Sequence, residues 1–127
     1  MELSDRITEI SLRRTACYGN CPVYKVVIQN DGSFFYQGES HVKRLGDHRG
    51  KVGLLRLKKL KEFIIESEFM ALENAYSIME TDHASAYTSV VLDGVKKEIN
   101  NYGESGPAVL WAIEELIDML LIDAEWD

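Results

Sequence analysis

The sequence predicts an α+β fold: an antiparallel sheet built from two hairpin units, with two amphipathic helices packed on one face. Three observations carry this. Alternating apolar and polar runs come in pairs, closed by Asn30-Asp31-Gly32 and by Asp93-Gly94, both turn-forming. Two longer stretches, 54–69 and 107–122, repeat apolar residues at helical spacing. Strands also come in runs between the helices, which argues for an antiparallel sheet. The expected order is β-β-β-α-β-β-α.

Residues 6–14 set Ile7, Ile10 and Leu12 among polar neighbours, a strand signal. Residues 23–28 set Val23, Lys25 and Val27 against Tyr24, Val26 and Ile28. Pro22 stands at the strand's start, where its missing N–H does least harm. Phe34-Phe35-Tyr36 resumes an extended run after the turn. Residues 41–45 are expected to prolong that run or to add a short strand.

The stretch 54–69 reads as a helix with Leu57, Leu60, Phe63 and Ile64 on one face and Lys58, Lys59 and Glu62 away from it. Residues 86–92 alternate Ala86, Thr88, Val90 and Leu92 with Tyr87, Ser89 and Val91. Beyond Asp93-Gly94, Val95, Lys97 and Ile99 alternate with Lys96 and Glu98. The last helix covers 107–122, with Ser105 as its expected cap and Pro107 in its first turn. At about 100° per residue, Val109, Leu110, Ile113, Leu116, Ile117 and Leu120 share an apolar face. Trp111, Glu115, Asp118 and Ile122 fall near the opposite pole, a candidate interface because exposed Trp is common at binding hot spots.

A length of 127 residues suits a single domain over 1–127. Hydrophobic residues are 46% and charged residues 28%, the balance of a globular chain. A net charge of −7 disfavours nucleic acid as a partner. No apolar run approaches the roughly 20 residues that span a bilayer, so no membrane role is expected. The acidic Met1-Glu2-Leu3-Ser4-Asp5 start lacks a signal-peptide layout, and the expected location is cytoplasmic.

Cys17 and Cys21 are the only cysteines. Three residues separate them, unlike the two of thioredoxin-like motifs. A disulfide is sterically open to them only if the chain turns through Gly19-Asn20. The pair reads as two half-buried thiols framing a turn, or as a redox or ligand pair. Two thiolates supply half of a zinc site, and His41, His48, His83, Asp47 and Asp82 do not complete it at familiar spacing. No metal and no cofactor are expected. The chain has no Gly-x-Ser-x-Gly, His-Glu-x-x-His or Gly-x-Gly-x-x-Gly. A cysteine nucleophile with His83 oriented by Asp82 is the one enzymatic constellation available.

The charge is unevenly spread. Residues 41–61 hold eight basic residues and one acidic. Residues 104–127 hold seven acids and neither Lys nor Arg. Around Gly46 and Gly50, the residues Arg44, His48, Arg49 and Lys51 make a candidate anion site.

The run Leu12-Arg13-Arg14-Thr15-Ala16-Cys17-Tyr18-Gly19-Asn20-Cys21-Pro22-Val23-Tyr24, then Ile28, Asp31-Gly32, Tyr36 and Gly38, resembles the opening of a bacterial domain family of unknown function. That family is marked by Cys-x-Gly-x-Cys-Pro-x-Tyr and a strand pair closed by Asp-Gly. Further matches are Gly46, Phe69, Tyr76, Asp82, Thr88, Tyr102-Gly103, Pro107, Leu110, Ile117 and Trp126. The resemblance implies one domain and supplies no activity. It implies that the Cys17–Tyr24 segment and Asp82 share one surface. In exported members it allows a disulfide between the signature cysteines; without an export signal, open thiols are expected here.

The expected function is a binding or interaction module, inhibitor- or immunity-like, without its own catalysis. Its partner would be another protein or a second copy in a homodimer. The alternative is a thiol-dependent enzyme or a ligand or anion sensor. Its candidate binding residues are Cys17, Tyr18, Gly19, Asn20, Cys21, Tyr24, Asp82 and His83.

Overall fold

The first hairpin unit forms as its turn chemistry dictates. In the computed structural model, which describes residues 2–127, β1 (Ile7–Arg14) pairs antiparallel with β2 (Val23–Gln29), and β2 with β3 (Ser33–Ser40). Gly32 closes the β2–β3 turn at φ 89°, a conformation costly to any residue with a Cβ. β4 (Gly46–Lys51) pairs antiparallel with β3. The strand anticipated at 41–45 therefore starts later, and most of 41–45 is a bend. His41 and Gly46 both take positive φ, 54° and 82°, and reverse the chain. The bend folds back onto Gly38, where a Cβ would stand 1.9 Å from the Arg44 carbonyl oxygen.

α1 (Leu54–Glu66) follows. It stops short of Phe69 because Ser67 Oγ donates to the Phe63 carbonyl at 2.7 Å and Glu68 turns left-handed at φ 55°. Phe69 is buried in the short 3₁₀ turn Phe69–Ala71 that comes next. β5 (Ala75–Tyr76), β6 (Ser85–Leu92) and β7 (Val95–Tyr102) form the second unit. Asp93 and Gly94 join β6 to β7 with φ 52° and 78°, as a two-residue hairpin matched to strand twist requires. α2 (Ala108–Ile122) begins after Pro107, which holds the N-cap position. Ser105 is not the cap: its Oγ donates to the Tyr102 carbonyl at 2.7 Å. β8 (Glu125–Trp126) closes the chain.

The sheet order is β5-β7-β6-β1-β2-β3-β4-β8. The two hairpin units meet at an antiparallel β1–β6 pair. Only β5–β7 runs parallel. β4, β5 and β8 add three strands to the expected order; β5 and β8 have two residues each, too few for periodicity, so only pairing at a sheet edge defines them. Ile10, Leu12, Val26, Ile28, Phe34, Val90 and Ile99 form one core with Leu57, Leu60, Ile64, Ile113, Ile117 and Leu120. Each such side chain contributes about 1.5–3 kcal/mol relative to exposure. The alternation within each strand puts all of these on the helix-covered face. Among the described residues, no helix is long and apolar enough to cross a membrane.

Candidate functional site

Residues 15–22 connect β1 to β2 at one end of the sheet. Thr15 N–H donates to the Ser85 carbonyl at 3.0 Å, and Ser85 N–H donates to Thr15 Oγ1 at 2.9 Å. Cys17 and Cys21 are joined by a disulfide, with Cα atoms 5.7 Å apart. This corrects the expectation of open thiols. Gly19 makes the closure possible by taking φ 143°. Tyr18 points outward and is exposed.

The 77–84 loop lies against this one. Tyr18 N–H donates to the Asp82 carbonyl at 2.9 Å. Tyr102 fixes the same loop from below: its hydroxyl accepts from His83 N–H at 3.1 Å and donates to the Glu80 carbonyl at 2.9 Å. Gly103, at φ 63°, leaves room for Ile78, whose Cδ1 would be 2.8 Å from a Cβ there. The cysteine segment and Asp82 thus come together through backbone. The catalytic constellation does not form. His83 Nε2 meets Glu80 Oε2 at 2.8 Å, while the Asp82 carboxylate accepts from Thr81 Oγ1. Both sulfurs are in the bridge, and thiolate chemistry needs a free one.

A polar cluster lies behind the disulfide loop, and the sequence reading missed it. Pairing registers Asn101, Ala86, Arg14, Tyr24 and Gly38 in one row across the helix-covered face. α2 crosses this row with Glu114, Glu115 and Asp118. Arg14 Nη2 meets Asp118 Oδ2 at 2.8 Å and Glu115 Oε1 at 3.8 Å. Arg14 Nε donates to the Tyr24 hydroxyl at 3.0 Å, and that hydroxyl donates to Asp118. Burial opposes charge on Arg14, but Tyr24 and Asp118 outweigh it and raise its pKa. Burial, then the Asp118 charge, push the Tyr24 phenol well above its ordinary range. Tyr24 therefore stays protonated and Arg14 stays charged.

Glu114 is 1% exposed and accepts from Asn101 Nδ2 at 2.9 Å. Burial raises its pKa against the opposing Asn101 hydrogen bond. A cavity of about 160 Å³ lies between this pair and the disulfide, lined by Arg14, Cys21, Ser85, Asn101, Glu104 and Glu114 among others. One signal was legible: Arg14 is in phase with Ile10 and Leu12, so a charge occupies a core position.

The helix layer presents a second surface. Trp111 is 48% exposed and Ile122 78%, as the helix wheel expects. Asp118 is not on that outer face, since its carboxylate turns to the sheet and Arg14. Leu55 and Met119, 68% and 49% exposed, extend the apolar surface onto α1. Between the helices runs a groove of about 530 Å³, lined by Leu55, Leu60, Phe63, Leu116, Met119 and Leu120, with Arg56 and Lys59 at its edge.

The four anion candidates do not converge. The Gly46–Lys51 segment is a strand, so alternation sends His48 to the face opposite Arg49 and Lys51. The Arg44 guanidinium lies 4.0 Å over the Trp126 ring, and Arg49 lies 4.5 Å over Phe35. Arg49 and Lys51 share their groove with Glu125 and Asp127, which oppose an anion there. His48 Nε2 is held by the Leu45 carbonyl at 2.8 Å. Among the described residues, no three side chains of the metal-ligating types are grouped to hold an ion.

A family model described as a domain of unknown function, DUF6438, matches residues 8–121. The chain belongs to the DUF6438 family. The DUF6438 segment covers both hairpin units and both helices except Ile7 and Ile122, and contains the disulfide loop, the Arg14 cluster and the interhelical groove; β8 lies beyond it. No curated protein matches the chain.

Proposed function

We propose that this chain is a binding module without catalysis of its own, which docks a protein on the outer surface of its helix pair. The carrying observation is the groove between α1 and α2, continuous with exposed Leu55 and Met119. Trp111 and Ile122 extend apolar surface along α2. Contiguous exposed apolar surface of this kind marks interaction sites, and a half-exposed Trp suits a hot spot. The inhibitor- or immunity-like form of this reading is supported by the small size, the net charge of −7 and the half-exposed Trp111.

The bridged Cys17–Cys21 pair supports action in an oxidising compartment rather than the cytoplasm, since such bridges open in reducing cytosol. The thiol-enzyme alternative loses its nucleophile to the same bridge. A ligand-sensor reading keeps one observation in its favour, the cavity between Cys21 and Glu114.

Chemical cross-linking read by mass spectrometry tests the docking surface. Lys59 lines the groove and Lys58, next to it in α1, is exposed, so both are reactive handles. Intermolecular cross-links from these lysines, lost in a folded Met119→Glu variant, are expected. Cross-links confined to lysines of the sheet, such as Lys25 and Lys51, would overturn the reading.

A further inference from the structure

Glu114 brings a carboxyl group between α2 and the sheet with no opposite charge in contact. It is 1% exposed and makes no ion pair among the described residues. Asn101 Nδ2, a neutral donor, holds Oε2 at 2.9 Å, and no described donor holds Oε1. The described side-chain atoms sealed without a partner are Ser4 Oγ, Thr88 Oγ1 and Asn100 Oδ1. Glu114 Oε1 is not one of them, so space adjoins it, and the cavity of about 160 Å³ beside the disulfide is what it opens on.

The rest of the lining narrows what can answer that carboxylate. Arg14 also lines the cavity, but its Nη2 is taken by Asp118 at 2.8 Å and its Nε by Tyr24. Glu104 is a second acid of the lining and is exposed, which places it at the mouth. Two carboxylates oppose an anion. They also fall short of the donor set a metal takes, since Cys21 is in the bridge and no three metal-ligating side chains group among the described residues. Cys21, Pro22 and Ala86 add short, uncharged walls that leave room for a few carbons.

We propose that this cavity binds a small primary alkylammonium group, with Glu114 and Glu104 accepting from its N–H donors and its short chain lying against Cys21 and Pro22. The site is separate from the helix surface and does not depend on docking there. An ammonium has three donors and no acceptor, which suits a site whose unanswered groups are carboxylate oxygens. A charge-assisted bond to a buried carboxylate is among the stronger polar contacts. Burial favours the protonated acid at Glu114; Arg14 on β1 favours the carboxylate, while Glu104 and Glu115 oppose it. An ammonium pairs with the carboxylate only, so its binding releases the Glu114 proton where that proton is held.

Calorimetric titration of the purified chain with butylammonium chloride in phosphate buffer tests this, with butanol as the uncharged control. Saturable binding of butylammonium and none of butanol is expected. Glu114→Gln, which keeps the acceptor for Asn101, should weaken binding about tenfold or more. Glu104→Gln, at the exposed mouth, should weaken it less. Affinity should fall as pH drops through the raised Glu114 value, and this dependence should vanish in Glu114→Gln. Butylammonium should also raise the melting temperature of the native chain, beyond sodium chloride at equal concentration. A second titration with N-acetyl-lysine amide separates two sources of the same head group. Tighter binding of that compound assigns the side chain of a lysine, and weaker binding assigns a free amine. No saturable binding at mildly alkaline pH overturns the proposal. So does butylammonium binding that is unchanged in Glu114→Gln, or butanol binding of equal strength.

Discussion

Arg14 and Asp118 are 104 positions apart in the chain, yet Arg14 Nη2 and Asp118 Oδ2 meet at 2.8 Å. The pair ties the end of β1 to the middle of α2, and the Tyr24 hydroxyl bridges its two members. Solvent reaches both partly, with side chains 17% and 30% exposed. Removing Asp118 leaves the Tyr24 hydroxyl without its acceptor and leaves Glu115, at 3.8 Å, as the remaining carboxylate near Arg14. Asp118→Ala is expected to cost about 2 kcal/mol or more, below the figure for a fully buried pair. Urea unfolding measures it, and a double-mutant cycle with Arg14→Ala should show strong coupling. Additive single losses would mean that the two side chains do not act as a pair.

Glu114 should make stability depend on pH. Burial lifts its folded-state pKa above the unfolded value of about 4.3. The folded chain then binds the proton more tightly than the unfolded one. The stabilising contribution is complete below the unfolded value and is lost as pH rises through the raised value. Glu114→Gln keeps an acceptor for Asn101 and removes the buried charge. It is expected to raise the denaturation midpoint at pH 7 and to give no gain near pH 4. Equal effects at both pH values would contradict this.

The Cys17–Cys21 bridge closes a very short loop. Chain entropy assigns it about 2 kcal/mol. The native protein should show no free thiol until it is unfolded and reduced, and two thereafter. Cys17→Ser with Cys21→Ser should lower the melting temperature while the sheet's circular dichroism is kept. Two thiols that alkylate in the native, unreduced protein would mean an open pair.

Gly38→Ala should disturb the 41–45 bend. A methyl group there meets the Arg44 carbonyl, a backbone atom that moves only with its loop. The expected cost is about 1–3 kcal/mol. Because Arg44 stacks on Trp126, the indole emission should shift in the same variant. An unchanged spectrum and stability would show that the bend yields freely.

Trp111→Ala should separate binding from folding. The indole is half exposed, so its loss should cost under about 1 kcal/mol of stability. Association through the helix surface should fall further than that. A large drop in melting temperature with unchanged association would assign Trp111 to the core.

Local chemistry alone determined much of this protein. Asn30-Asp31-Gly32 and Asp93-Gly94 named both hairpins because positive φ is written in residue type. The apolar spacing of α1 and α2 named their buried faces. The sequence resembled a domain family of unknown function, and a family model of unknown function matches residues 8–121. The tertiary structure decided the rest. β5 and β8 exist only through pairing at sheet edges. Asp118 looked outward on an isolated helix wheel, but the axis of α2 over the sheet turns its carboxylate to Arg14. Glu114 was one of seven acids in residues 104–127, and only the packed structure shows it buried and bonded to Asn101 from another element. His48 and Arg49 looked like one anion loop until strand alternation parted them. In each case the deciding partner is distant in the chain, and sequence spacing encodes only the geometry of a single element.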